Sequence, residues 1–255
     1  MAGGGMGALA DRGGHAARGG LAVSRLLADM GPAGLLHLAY FLVLTPWAVM
    51  RRGTAAPAPD LTRRRQHYRR VTAQLASFGV LSGLVAWRNH LPLWGAPRAP
   101  VVAWAAAASL VALLYHAIAP YRRARIARGD PRALLLAPDP ADVPWWAAVA
   151  LSAGVAEELT YRGVASSLLL LAGMPAAAVV VVVNAAFGLA HATRGWVHVG
   201  VTFGIGAALH LLVLASGSLW PAMAAHAVYD FLAGLSYARL ARRTAAGPVG
   251  AAAAS

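Results

Sequence analysis

The chain has 255 residues, 59% of them apolar, and its 22 basic against nine acidic side chains give a formal net charge of +13. Charged residues make up 12% of the chain, where about 25% is usual, and a mean hydropathy of +0.58 excludes an ordinary soluble domain in favour of a chain dissolved in lipid. There is no cysteine, which excludes thiol nucleophiles, thiolate metal sites, disulfides and cysteine lipidation together.

Residues 1–20 are rich in glycine, carry Arg12 and Arg18, and lack the apolar core and small-residue cleavage site of a signal peptide, so they read as a disordered arm. Apolar stretches then recur at residues 33–50, 71–87, 101–119, 144–174, 176–191, 197–215 and 219–238. At 1.5 Å per residue, about 20 residues span the hydrocarbon, so most of these read as single crossings. The fourth is long and is interrupted at its middle by the run from Glu157 to Arg162, which suits one tilted helix or two pieces. The expected fold is all-α: a polytopic membrane helix bundle of about seven transmembrane helices. A set of N-terminal helices with basic loops occupies 21–143, a core 144–238 and a flexible tail 239–255.

All 22 basic residues are arginine, and their placement predicts the threading. Seven follow the first span (Arg51, Arg52, Arg63, Arg64, Arg65, Arg69, Arg70) and five follow the third (Arg122, Arg123, Arg125, Arg128, Arg132). Only Arg88 and Arg98 follow the second, and the turn Ser216-Gly217-Ser218 has none. Rich and poor segments alternate as the positive-inside rule requires for seven spans, with the N-terminus outside and the C-terminus in the cytoplasm; an eighth crossing or a re-entrant piece would break the alternation. The +13 is therefore mostly an orientation signal, with no nucleic acid expected as partner. Arg63 to Arg70 read as a solvated cytoplasmic loop, with contact to anionic lipid as the alternative.

The last four spans hold groups that do not belong in lipid: Glu157, Glu158, Arg162, Asn184, His191, His198, His210, His226 and Asp230. An ionisable group near the bilayer centre costs about 2.5 to 3.5 kcal/mol on insertion scales, so the only two glutamates of the chain, adjacent at mid-span, imply a buried polar site. Glu158 and Arg162 are spaced i, i+4 with the acid first, the favoured order for a structural ion pair on one helix face. Glu157 lies about 100° around the helix and is free to meet another partner. Phe187 and His191 share the i, i+4 spacing, as do His226 and Asp230, where a carboxyl can hold an imidazole one turn away. Helical rise places Glu157 about 18 Å in from Trp145, and Asp230 about 17 Å in from Leu219 on the opposite side. In a core about 30 Å thick those depths overlap. His198, His210 and Asn184 read as packing residues.

With no cysteine, no G-x-S-x-G elbow and no H-E-x-x-H helix, what remains is a carboxylate base with imidazoles. A glutamate desolvated among apolar helices is a stronger base than one in water, a neighbouring histidine can orient the water, and a second can donate to an oxyanion. This is the equipment of a hydrolase without a covalent intermediate. The set Glu157, His191 and His226 would equally suit a catalytic zinc site of two histidines and a glutamate.

Glu157-Glu158-x-x-x-Arg162, Phe187-x-x-x-His191 and His226-x-x-x-Asp230 resemble the E-E-x-x-x-R, F-x-x-x-H and H-x-x-x-N/D motifs of the CPBP intramembrane proteases, also called Abi, which include the CAAX prenyl protease 2 enzymes. The flanking Phe187-Gly188-Leu189-Ala190-His191 and the run from Gly217 to His226 agree, and the resemblance covers about residues 140–238. It implies an intramembrane endopeptidase acting on a membrane-associated peptide or protein, with Glu157 activating water and His191 as its partner. It implies His226 and Asp230 around the oxyanion, and Glu158 and Arg162 in support. Asp230 departs from the asparagine of the best-studied branch, since aspartate donates a hydrogen bond only when protonated. No cofactor is expected in this reading, and zinc is the alternative. A non-catalytic scaffold or bacteriocin-immunity protein of the same fold, and a transporter, are the competing functions. The arginine-only, alanine-rich composition suggests the plasma membrane of a high-GC bacterium.

Overall fold

A computed structural model of the chain describes residues 30–53 and 57–246. The expected arm at 1–20 and the end of the expected tail, 247–255, lie outside the described residues. Every regular element among the described residues is helical. Helix α1 runs Met30–Arg52 with a π-helical stretch at Ala39–Leu44, and α2 is Arg64–Arg88. Next come α3, Pro100–Ala117, continued by α4, Ala119–Ala127, and the short α5, Pro131–Leu135. Helix α6 begins as Val143–Glu157, widens into a π-helical stretch at Glu158–Ala165 and ends as Ser166–Leu171. The chain closes with α7, Ala176–Leu189, α8, Trp196–Ser216, and α9, Trp220–Ala245.

Each of the seven apolar stretches thus falls on a helix, and the polytopic all-α bundle is the fold. By length and apolarity alone, Met30–Arg52, Pro100–Ala127 and Trp196–Ser216 are sufficient to cross a membrane. Helices α2, α6 and α9 are diluted by the polar groups they carry. The fourth stretch is one continuous helix: Glu158 and Ser166, at the two changes of pitch, both keep right-handed helical dihedrals. Two expectations need correction. Helix α7 has 14 residues, so it rises only about 21 Å and falls short of the 176–191 crossing expected, because the chain turns at Ala190–Arg194. Residues 239–245 of the expected flexible tail continue α9.

Helix α6 is the centre of the bundle, packed between α2 on one side and α9 on the other; α8 packs on α7, and α3 packs on α9. Lipid and side chain are equally apolar, so helices in a bilayer associate by close fit, and small residues permit it. The α6–α9 seam shows this. Gly154 of α6 and Met223 and Gly234 of α9 are buried along it, whereas Ala153 and Ala156 of α6 pack with Leu75 of α2. Gly154 sits so close to α9 that a Cβ there would stand 2.7 Å from the Met223 carbonyl oxygen and from the Ala227 nitrogen. Farther along the seam, Trp146 Nε1 donates to the Phe231 carbonyl at 3.3 Å. The outward faces keep large apolar side chains, among them Leu36, Leu84, Val101, Leu113 and Leu211, exposed for lipid.

The arginine-rich segments are more structured than solvated loops. Arg65 donates to Asp142 at 2.7 Å and Arg64 pairs with Asp139, which clamps the start of α2 to the start of α6. Arg122 and Arg125 on α4 are each 1% exposed. Arg125 is held by Asp130 at 2.7 Å, while Arg122 donates to the Tyr115 carbonyl at 2.6 Å. Orientation rules count arginines without seeing which of them fold back onto the bundle, so these two read from sequence as loop residues.

Candidate active site

Glu157 and Glu158 stand at the change of pitch in α6, and adjacent positions on a helix cannot share a face. Glu158 points into the packed interior: its side chain is 0% exposed, against 19% for Glu157. Its Oε1 accepts from Arg162 Nη1 at 2.9 Å, the expected i, i+4 pair, and also from His226 Nδ1 at 2.8 Å. Arg162 in turn donates Nη2 to Asn184 Oδ1 at 2.8 Å and lays its guanidinium 4.3 Å over the Phe187 ring. Asn184 donates to the Val180 carbonyl at 2.7 Å and lies 3.1 Å from His210 Nδ1. Four helices are thereby tied through Glu158 and Arg162. A buried pair of this kind is costly to break, because one partner removed leaves the other charged and unpaired.

That network fixes His226. A carboxylate can only accept, so Nδ1 carries the hydrogen in the bond to Glu158, and the Nε2 edge is left facing Glu157 Oε2 and Asp230 Oδ2, each 3.7 Å away. Both separations are contacts rather than hydrogen bonds. His191 lies just past the end of α7, in the turn, rather than on the helix its spacing suggested. Its Nδ1 donates to the Phe187 carbonyl at 2.9 Å, since a carbonyl can only accept, and this leaves Nε2 with its lone pair. Phe187 touches both imidazoles, with ring centroids 5.0 Å from His191 and 6.2 Å from His226, and so spaces them apart.

Glu157, His191, His226 and Asp230 all line one cavity of about 360 Å³, whose apolar wall includes Phe41, Phe78 and Val71. The structure therefore gathers the four residues singled out from sequence as catalytic and seals the two supporting ones, Glu158 and Arg162, behind them. His191 and Glu157 share the cavity without an ion-pair contact within 4.0 Å. Among the described residues no three His, Asp or Glu side chains form a group that could hold a metal ion, while the bond of His226 Nδ1 to Glu158 leaves its Nε2 edge open to the cavity.

Sequence reasoning missed the Glu158–His226 bond, which joins residues 68 apart in the chain. It also missed Arg194 and Tyr121, and left His198 as packing. All three line the cavity. Arg194 lies between two apolar stretches, where an arginine reads as a loop residue; its spacing of three after His191 was the only available signal.

No curated protein and no solved structure matches the chain. Residues 139–232 match the family model described as Rce1-like, type II CAAX prenyl endopeptidase, and the segment contains all three motifs and every cavity carboxylate described above. Residues 139–232 of this chain are thus similar to the Rce1-like family of type II CAAX prenyl endopeptidases.

Proposed function

We propose that the chain is an intramembrane endopeptidase that hydrolyses a peptide bond of a membrane-associated substrate with water activated by Glu157. The family supports a CAAX-type protease, and one observation carries the finer reading. Of the two adjacent glutamates, Glu157 is the one that opens to the cavity, where it faces His226 and shares the lining with His191, and the remaining nitrogen of each ring makes no hydrogen bond among the described residues. A water between Glu157 and His191 Nε2 bridges two groups that do not touch. Glu157 takes its proton as the oxygen attacks the carbonyl carbon. His226 acts as the imidazolium, with Nδ1–H anchored to Glu158 and Nε2–H donating to the developing oxyanion, and keeps both protons through the step. The proton held by Glu157 then passes to the leaving amine as the C–N bond breaks. Asp230, beside His226 Nε2, orients that ring.

The same arrangement works without a bound metal, and exhaustive chelation is expected to leave turnover unchanged; loss restored by zinc overturns that part of the scheme. The orientation expected from the arginines places the turn after α7 and the C-terminus in the cytoplasm. The substrate is sought by comparing membrane proteomes of cells carrying the wild-type chain or Glu157→Gln. A peptide cut in both removes the glutamate mechanism, and an unchanged proteome favours a non-catalytic role for the same fold.

A further inference from the structure

The cavity holds a cation that the hydrolytic scheme leaves unused. Arg194 ends the single 3₁₀ turn Ala192–Arg194 that joins α7 to α8, and it lines the cavity together with Glu157, His191 and Asp230. Among the described residues no carboxylate lies within 4.0 Å of its guanidinium, and its one hydrogen-bond partner is His198, with Nη1 donating to Nε2 at 3.4 Å. A guanidinium can only donate, so His198 Nε2 accepts, Nδ1 carries the hydrogen, and Nδ1 donates to Tyr121 Oη at 3.0 Å. The His198 ring also stacks on Tyr121, centroids 6.0 Å apart and planes 24° apart. Two aromatic side chains thus brace one corner of the Arg194 fork and leave its other nitrogens without a protein acceptor.

A second guanidinium of the same cavity repeats the pattern. Arg122 is 1% exposed and, among the described residues, has no carboxylate within 4.0 Å and keeps Nη1 without a partner. Arg122 is buried and Arg194 half-buried, and the cavity's own acids, Glu157 and Asp230, stand beyond ion-pair distance of both; a desolvated guanidinium without an ion pair is costly, so two of them in the wall of one cavity point to an anion that arrives with the ligand. Arginine presents a planar fork that fits a carboxylate through two parallel hydrogen bonds. His191 and His198 lie 6.1 Å apart between ring centroids, which sets Arg194 one side chain beyond the hydrolytic groups and within reach of a peptide lying across them.

We propose that Arg194, braced by His198 and Tyr121, is the receptor for a carboxylate of the bound peptide and so selects where along the substrate the cut falls. This rests on the endopeptidase reading. The carboxylate comes either from the peptide's own C-terminus or from an aspartate or glutamate side chain. His198 and Tyr121 are positioning residues in this scheme.

The test uses the full chain in neutral-lipid nanodiscs, carrying Glu157→Gln so that bound peptide is not consumed. Three fluorescent peptides share one apolar sequence: one ends in a free carboxylate, one in a carboxamide, and one in a carboxamide with a single internal glutamate. At least one acidic peptide is expected to bind about tenfold more tightly than the neutral one by anisotropy, and the stronger of the two identifies the source of the carboxylate. Adding Arg194→Gln is expected to bring the ratio to within twofold while leaving the neutral peptide's Kd unchanged, and Arg194→Lys to give an intermediate ratio. Equal binding of all three, binding of none, or an acid preference that survives Arg194→Gln overturns the proposal. The three-peptide comparison needs no Arg194 variant, so a misfolded variant does not rescue it. Cleavage of all three by the chain retaining Glu157, with no acid preference, removes the carboxylate receptor and leaves the endopeptidase standing; acid-selective binding without cleavage does the reverse.

Discussion

Replacing Gly154 by alanine adds one methyl group at the closest approach of α6 and α9, three residues before Glu157. The new Cβ would stand 2.7 Å from the nitrogen and Cβ of Ala227 and from the carbonyl oxygen of Met223, whereas ordinary contact begins near 3.4 Å. Two of those three atoms are backbone and have no rotamer to adopt, so the helices must separate by roughly 0.7 Å. Met223 and Ala227 bracket His226. The same displacement would stretch the 2.8 Å bond from His226 Nδ1 to Glu158 Oε1 to about 3.5 Å, the limit of a hydrogen bond. Overpacking of this kind costs about 1–3 kcal/mol, which lowers the Tm by roughly 2–12 °C in a chain of this size. A shift near 1 Å at a reacting group can lower turnover by about 100-fold. Thermal unfolding in detergent and turnover of a membrane peptide cut by the wild-type chain read the two effects separately. Ala227→Gly in the same background removes only the Cβ contact and leaves both backbone contacts, so it should restore less than half of either loss. A Gly154→Ala chain with wild-type Tm and turnover would refute the claim that this seam positions the site.

Glu157→Gln should abolish turnover with no loss of Tm, because Glu157 opens to the cavity and makes no hydrogen bond that holds the bundle; a lowered Tm would place it in the structural network instead. Arg162→Met should destabilise by about 3–5 kcal/mol, since it strips Glu158 of its cation and Asn184 of its donor, and is read by thermal unfolding. Asp130, in the turn between α4 and α5, is pushed up by burial. The hydrogen bond and charge of Arg125 and the backbone N–H groups of Arg132 and Ala133 outweigh that and hold its carboxyl below the usual carboxylate range. A folded-state value below the unfolded one gives stability that is complete above the unfolded value of about 3.9 and lost as pH falls through the lower folded value. Asp130→Asn should therefore be less stable than wild type at pH 7, with the gap in Tm narrowing as pH falls below about 4. Gly195 has φ +98° at the turn that carries Arg194 into the cavity, with open space around its missing Cβ. The whole cost of Gly195→Ala is thus backbone strain, about 1–3 kcal/mol by unfolding.

By itself the sequence determined the class of the protein and the membership of the site. Apolar runs must become helices in lipid because their backbone groups have no other partners there, so seven stretches of hydropathy became helical segments. Charged groups in such runs must be buried together, so Glu157, Glu158, Arg162, His226 and Asp230, rare where they stand, were legible from rarity and from spacing within each helix. Tertiary structure decided which acid opens to the cavity and which is sealed in the interior. Spacing made Glu158 and Arg162 a pair but said nothing of His226 on another helix, and the tautomer of that histidine follows from the Glu158 contact alone. The wider pitch at Glu158–Ala165 and the early end of α7, which moves His191 into a turn, depend on packing that no periodicity records. Arg122, Arg125 and Arg194 are the clearest case. One-dimensional counting treats an arginine between apolar runs as a topology signal, and only the folding of α4 and the α7–α8 turn against the bundle turns three of those positive charges inward toward the cavity and its surroundings.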